Sequence, residues 1–402
     1  MIKSWIVAAV GTASLVGASL ATGLPAASAA PAKLHPAHVC KVVAAKGEAT
    51  CHALKLVDAK GVAPAATAPP GSGLTPNKLR DAYKLTSQSG GRTVAIVDAY
   101  GYTNLERDLR VYRSQFGLGD CTRANGCLRI LDQNGGTSLP RMDVGWAQEQ
   151  ALDVDAVSAA CPDCKIVVLQ AKSASFADLG TAVNTAASPN KVPGVVAISN
   201  SYGSTGDASD STYGASYDHP GIAVTASTGD NGYQGGSYPA SSAYTTAVGG
   251  TSLVTDPAAS NTRGWSETAW SGAGSGCSTY NAALAAAANF GTGCAKRAMA
   301  DVSAASDPSK GGLAVYYPSS RSSSTWGQFG GTSEASPIIA AVYALSGNTT
   351  GYANAIPYSH SSSLFDVVGG SNGTCPTTQW CNAGAGWDGP TGLGTPNGVG
   401  GF

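Results

Sequence analysis

Three observations predict an α/β fold built on a mostly parallel central sheet covered on both faces. Short β-rich apolar runs at 92–97, 165–170, 195–199, 222–226 and 245–248 alternate with helical stretches at 104–116, 144–160 and 176–187. The last three runs end in Gly, Ser or Asp loops. A further apolar stretch, 337–345, follows a glycine-flanked serine. Strands and helices in alternation place a functional site at the carboxyl ends of the strands.

The first 29 residues read as a secretory signal peptide. Lys3 precedes an uncharged apolar stretch, then come Pro25 and the small-residue run Ala26-Ala27-Ser28-Ala29-Ala30. An uncleaved anchor is the alternative, because the stretch is nearly long enough to span a bilayer. Residues 30–73 form a short Cys-containing pro- or accessory segment with three of the five histidines, ending in an Ala/Pro/Gly-rich linker from Gly61 to Gly73. A short helix over 77–85 then opens the main domain, 74–402. Ten cysteines fall into five sequence neighbours, Cys40/Cys51, Cys121/Cys127, Cys161/Cys164, Cys277/Cys294 and Cys375/Cys381. In a secreted chain they predict five local disulfides, each contributing about 2 to 3 kcal/mol. A redox or zinc role for Cys161-Pro162-Asp163-Cys164 is the sharper alternative. Lys and Arg are few and scattered in a chain of net charge −1, which excludes a polyanion partner such as nucleic acid.

Residues 327–347 are the centre of the chain. Gly330-Gly331-Thr332 deliver Ser333 to a helix apolar almost all round, with Pro337 expected in its first turn and Gly347 stopping it. Ser333 either caps this helix or acts as a nucleophile beside free backbone N–H groups. The helix from Val144 carries Glu149 and Asp153 four residues apart, on one face, with Asp143 and Asp155 off it. A solvated acidic face is the ordinary account; a base for Ser333 is the functional one. Asp230, in Gly229-Asp230-Asn231-Gly232, is either a turn residue or a carboxyl presented to the same crevice. His219 and His360 are the only histidines of the main domain, and neither stands in a motif suited to a Ser-His-Asp triad.

Glu149 and Asp153 within Glu-Gln-Ala-Leu-Asp, Gly-Asp-Asn-Gly around Asp230, and Gly-Gly-Thr-Ser-Glu-Ala-Ser-Pro around Ser333 resemble the sedolisins, serine-carboxyl peptidases of subtilisin-like three-layer fold. The resemblance runs over about 74–402 and includes Trp265-Ser266-Glu267-Thr268-Ala269-Trp270, Asp301-Val302-Ser303-Ala304 and the tail from Gly384 to Gly394. It implies a nucleophile at Ser333, its general base at Glu149, a supporting carboxyl at Asp153 and an oxyanion donor at Asp230. Glu149 would have to be ionised and Asp230 protonated, which predicts activity at acid pH, lost toward neutrality as Asp230 ionises. The resemblance also implies one structural calcium ion, held by the carboxylates of Asp366 and Asp388 and the carbonyls of Val367, Gly384 and Gly386. The expectation is a secreted, monomeric peptidase acting on proteins or peptides, off the membrane after signal removal. A non-catalytic binding protein of the same fold, and a glycosidase using Glu149 with another acid, are the alternatives. Segment 30–73 stands where sedolisins usually carry a large pro-domain. Glu334, beside the nucleophile, is expected to perturb the site or touch substrate.

Overall fold

Seven strands lie in one path across the central sheet of the computed structural model, in the order Trp265–Ala269, Thr246–Thr255, Ala223–Ser227, Val195–Asn200, Thr93–Ala99, Lys165–Ala171 and Leu128–Asp132. An eighth, Val302–Ala305, also pairs with Thr246–Thr255. Every pairing is parallel except that of Trp265–Ala269. The structure describes residues 1–6, 8–9, 33–41, 47–258, 263–348 and 350–402. The chain divides into two units, Met1–Lys33 and Leu34–Phe402, and the sheet belongs to the second. The expected signal-cleavage region around Ala29 and Ala30 lies outside the described residues. Among the described residues no helix is long and apolar enough to cross a membrane.

The sheet is covered on both faces because its strands are apolar on both. In Thr93–Ala99, Val94 and Ile96 join a core with Ala147 and Ala151 of the helix Val144–Ala160 and with Ile338 and Ile339 of the helix Thr332–Ser346. Ala95, Val97 and Ala99 join the opposite core, with Phe176, Leu179 and Val183 of the helix Phe176–Ala186. Side chains alternate along a strand, so Asp98 falls on the face of Val94 and Ile96. The chain leaves Thr93–Ala99 toward one side of the sheet and returns on the other at Val195–Asn200. At such a switch point the strand ends open a crevice, and Asp98 and Ser201 stand there.

Val144–Ala160, the acid helix, is capped by Asp143, whose side chain accepts from Trp146 N at 3.0 Å. A solvated acidic face is not what it presents. Every residue from Trp146 to Ala160 is buried, because the sheet, the helices Thr332–Ser346 and Leu105–Gln115, and the strand Leu313–Pro318 all pack on it. Thr332–Ser346, the serine helix, is buried from Thr332 to Leu345 and ends at Gly347 with φ 72°. Pro337 lies beyond the expected first turn. Its missing N–H leaves the Ser333 carbonyl, four residues back, without a helical donor, and the Ser201 hydroxyl approaches that oxygen at 3.4 Å.

All five expected disulfides are present, including Cys161–Cys164, which excludes a metal role for that pair. Residues 34–73 belong to the same unit as the sheet. Thr50–Cys51 pairs antiparallel with Tyr202–Thr205, and Leu54–Val57 pairs antiparallel with both His35–His38 and Ser324–Gly330. The Ala/Pro/Gly-rich stretch lies along Ser324–Gly330 as well, through Ala66 to Thr325 and Trp326, and Ser72 to Gln328.

Candidate active site

Ser333 is the second residue of the serine helix, after the N-cap Gly331 and Thr332. Gly331 has φ 94°, and a methyl group on it would stand 2.0 Å from the His52 carbonyl oxygen and 2.7 Å from Asp230 Oδ2, so both the backbone conformation and the space require glycine. The cap makes no side-chain hydrogen bond. The Ser333 hydroxyl does not cap the helix; it donates to the Ser201 carbonyl at 3.2 Å. It also lies close enough to Glu149 to favour that carboxyl's ionised form. Glu149 Oε1 holds no hydrogen bond of its own, so a rotation of the hydroxyl completes a serine-to-carboxylate pair.

Glu149 Oε2 accepts from the Ala53 N–H at 2.8 Å. Asp153, one turn along the acid helix, accepts from the Ser201 hydroxyl at 2.8 Å. Burial pushes both carboxyls well above the usual range, and the charge of Asp98 is the next cause for each. Asp98 is the residue that sequence reasoning missed. Buried on the central strand, it is pushed up to about 8 by burial, with the neighbouring Asp153 carboxyl opposing the shift. Three buried acids thus stand together. Such a group keeps protons to limit its charge and titrates as a unit. The signal was one Asp in an otherwise apolar strand, Thr-Val-Ala-Ile-Val-Asp-Ala, where a buried carboxyl needs a partner.

Asp230 reaches the serine from the other side. Its Oδ1 accepts from Thr332 N at 2.7 Å and Thr332 Oγ1 at 2.9 Å, and Oδ2 has no partner. Burial pushes its pKa up to about 7 against the pull of those two bonds. Oδ2 therefore carries the proton over the acid range and can donate it to an oxygen above Gly331. Glu334 points away from the nucleophile, accepting from Leu313 N at 3.2 Å. His219 and His360 bond the carbonyls of Ser216 and Ile356, away from these acids. His52 is instead in the cleft. Its Nδ1 lies 2.7 Å from Ser227 Oγ, and a cavity of about 1040 Å³ runs past it between Thr50 and Gly203 on one side and Gly229, Asn231 and Gln234 on the other.

The residues expected to hold calcium form a separate loop cluster. Asp366 Oδ2 accepts from Gly386 N at 2.9 Å, and Asp388 Oδ2 from Gly384 N at 3.2 Å, so the two carboxyls bracket one loop. The carbonyls of Val367, Gly384 and Gly386 accept no hydrogen bond among the described residues. Asp388 is pushed up to about 7, first by burial, with the charge of Asp366 adding to it and no cation opposing. Among the described residues no group of three or more His, Cys, Asp and Glu side chains is arranged so that it could hold a metal ion. Two carboxylates with three free carbonyls nevertheless fit a hard oxygen-seeking cation.

No family model matches the chain. Kumamolisin of Bacillus sp. (strain MN-32) is 28% identical over 362 residues, covering 81% of this chain and 62% of kumamolisin. The chain therefore spans about three fifths of that relative's length. Tripeptidyl-peptidase sed1 of Aspergillus fumigatus is 41% identical over 76 residues, 17% of this chain and 12% of that protein. Among solved structures, Pseudomonas sedolisin, a serine-carboxyl proteinase complexed with two molecules of pseudo-iodotyrostatin, aligns with a TM-score of 0.66 at 25% identity, over 83% of this chain and 96% of that one. Fold and site together define a subtilisin-like α/β protein with a serine set among carboxyls. Within that class the chain is similar to the sedolisins, through kumamolisin in sequence and Pseudomonas sedolisin in structure.

Proposed function

We propose that this chain is a secreted serine-carboxyl endopeptidase that cleaves proteins or peptides through an acyl-enzyme at acid pH. The observation that carries the proposal is the placement of Ser333 between Glu149 and the free oxygen of Asp230. Ser333 attacks the substrate carbonyl carbon while Glu149 takes its proton. Asp153 and Asp98 share the charge behind Glu149, and Asp230, protonated, donates to the oxyanion. Glu149 then returns the proton to the leaving amine, and water hydrolyses the ester. The similarity to kumamolisin and to Pseudomonas sedolisin supports this assignment.

Secretion is supported by five disulfides and the signal-like first 29 residues. One calcium ion, at Asp366, Val367, Gly384, Gly386 and Asp388, would be structural and pin the loop that follows the serine helix. The enzyme works as a monomer. The test is hydrolysis of an unfolded protein from about pH 3 to 8 by wild type, Ser333→Ala and Glu149→Ala. Acid-side cleavage lost by about 10³-fold or more in both variants, with folding intact, is the expected result. Cleavage that survives Ser333→Ala would overturn the proposal.

A further inference from the structure

Gln150 and Gln170 form a buried amide pair beside the acid cluster, and neither has a part in the chemistry proposed above. Gln170 is paired with Asp98 in the register of Lys165–Ala171 against Thr93–Ala99. Residues so paired in parallel strands about 5 Å apart point to the same face. Here that face is the one where Val94, Ile96, Ile166 and Val168 meet the acid helix. The direction of each amide is fixed by its partners. Gln150 faces the carbonyls of Ala99 and Tyr100 at 3.3 and 3.1 Å, which can only accept, so its Nε2 stands there. Its Oε1 then accepts from Gln170 Nε2 at 2.9 Å. Gln170 Oε1 is thereby left as an acceptor without a donor, in a residue 1% exposed. Asp98 is fully buried, and neither of its oxygens has a donor among the described residues. Bare acceptors in a dry interior cost free energy, and a proton on Asp98 turns one of them into a donor.

The three acids also differ in the donors they receive. Glu149 takes the Ala53 N–H and has the Ser333 hydroxyl beside it. Asp153 takes the Ser201 hydroxyl on Oδ1 and nothing on Oδ2, and Asp98 takes none. Donors favour the charged form, so Glu149 is the member best suited to ionise. We propose that Gln170 is a positioning residue: its Oε1 accepts the proton of Asp98, Asp98 accepts that of Asp153, and the charge of the cluster is left on Glu149, the base. The proposal rests on the peptidase reading above. The other titratable groups on the elements packed here are turned elsewhere. Asp155 accepts from Tyr316 N at 3.1 Å, Glu334 from Leu313 N, and the Tyr202 hydroxyl donates to Asn200. Asp230 lies on the far side of the serine, on Thr332. Gln170 also borders a cavity of about 1110 Å³ that carries Glu106 and Arg123, paired with each other, Arg107, paired with Asp108, and Arg110 and Asp120.

Gln170→Met keeps the length of the side chain and removes the acceptor. Losing an ordinary hydrogen bond from neutral Asp98 corresponds to about half to one pH unit, and Asp98 then competes with Glu149 for the charge. With a peptide substrate followed from about pH 3 to 8, the acid limb of kcat should move up by that amount, with KM within about twofold. In an Asp98→Asn background the Asn amide donates to Gln170 at every pH, so Gln170→Met should leave the limb where that background sets it. An unmoved limb in Gln170→Met overturns the proposal, and so does an equal shift with Asn at 98, which marks a purely structural effect. A second readout needs no activity. In the Ser333→Ala chain at about pH 6, where ordinary carboxyls are ionised, infrared spectra read the C=O stretch of protonated acids. The band that Asp98→Asn removes is that of Asp98, and it should change frequency in Gln170→Met. Absence of that band, or a band indifferent to Gln170→Met, overturns the proposal. If wild type hydrolyses no peptide at any pH, the peptidase reading falls, and the band alone decides where the proton sits.

Discussion

Replacing Asp230 by Asn tests the most specific electrostatic feature of the site. The amide oxygen can take over the two bonds from Thr332, and its NH2 group can donate where Oδ2 now stands. What changes is titration. Asp230 is raised from 3.8 to about 7 by burial, so its neutral form is favoured by folding. Its contribution to stability is fully present below about pH 4 and is lost as pH rises through about 7. The gap between 3.8 and about 7 corresponds to about 4 kcal/mol. Urea melts at pH 4 to 8, in a Ser333→Ala background that prevents self-digestion, compare the chain with and without Asp230→Asn. The stability difference is expected to move by about 4 kcal/mol in favour of the Asn variant between pH 4 and 8, although the other buried acids tilt both curves. With Ser333 present, the Asn variant keeps activity within about tenfold at pH 4.5 and loses the alkaline limb near pH 7, whereas Asp230→Ala falls by about 10² to 10³. A pH-independent stability difference, or an alkaline limb unmoved in the Asn variant, would refute the assignment of the oxyanion donor.

Asp98→Asn removes one of three buried acids that titrate as a unit, so ionisation of the remaining pair should begin at lower pH and the acid limb of kcat/KM should move down; an unmoved limb would detach Asp98 from the cluster. Chelation at pH 7 should lower the melting temperature of the Ser333→Ala chain by about 5 °C or more, and Asp388→Ala should abolish that response. If the chelator leaves the transition of the Ser333→Ala chain where it was, the loop holds no ion. Asp301→Ala should cost about 3 to 5 kcal/mol in denaturant melts, because it strands Arg297, which is buried against it, and frees the Ala247 N–H and Tyr358 hydroxyl. A loss below about 1 kcal/mol would mean that the buried pair is dispensable.

The sequence by itself determined the alternation of strands and helices, because buried parallel strands and the helices that cover them are written in local runs of apolar residues. It also suggested the five disulfide partners, since each pair is close along the chain, but the connectivity itself was decided by the fold. The motifs around Glu149, Asp153, Asp230 and Ser333 marked the acids and the serine as a set. Their mutual geometry was a matter of topology. Asp98 lies one residue beyond the expected strand 92–97, and only the observed strand Thr93–Ala99 and the switch point turn it onto the acid helix; Glu149 and Asp153 read first as a solvated face until packing covered them. Pro337 read as a first-turn residue, and only the observed start of the helix at Thr332 shows that it frees the Ser333 carbonyl. Most of all, the passage of 50–54 through the cleft was invisible locally. His52 lies far before Ser333 in the chain, and what joins them is hydrogen bonding between strands, which depends on backbone register and leaves no local signature in the side chains.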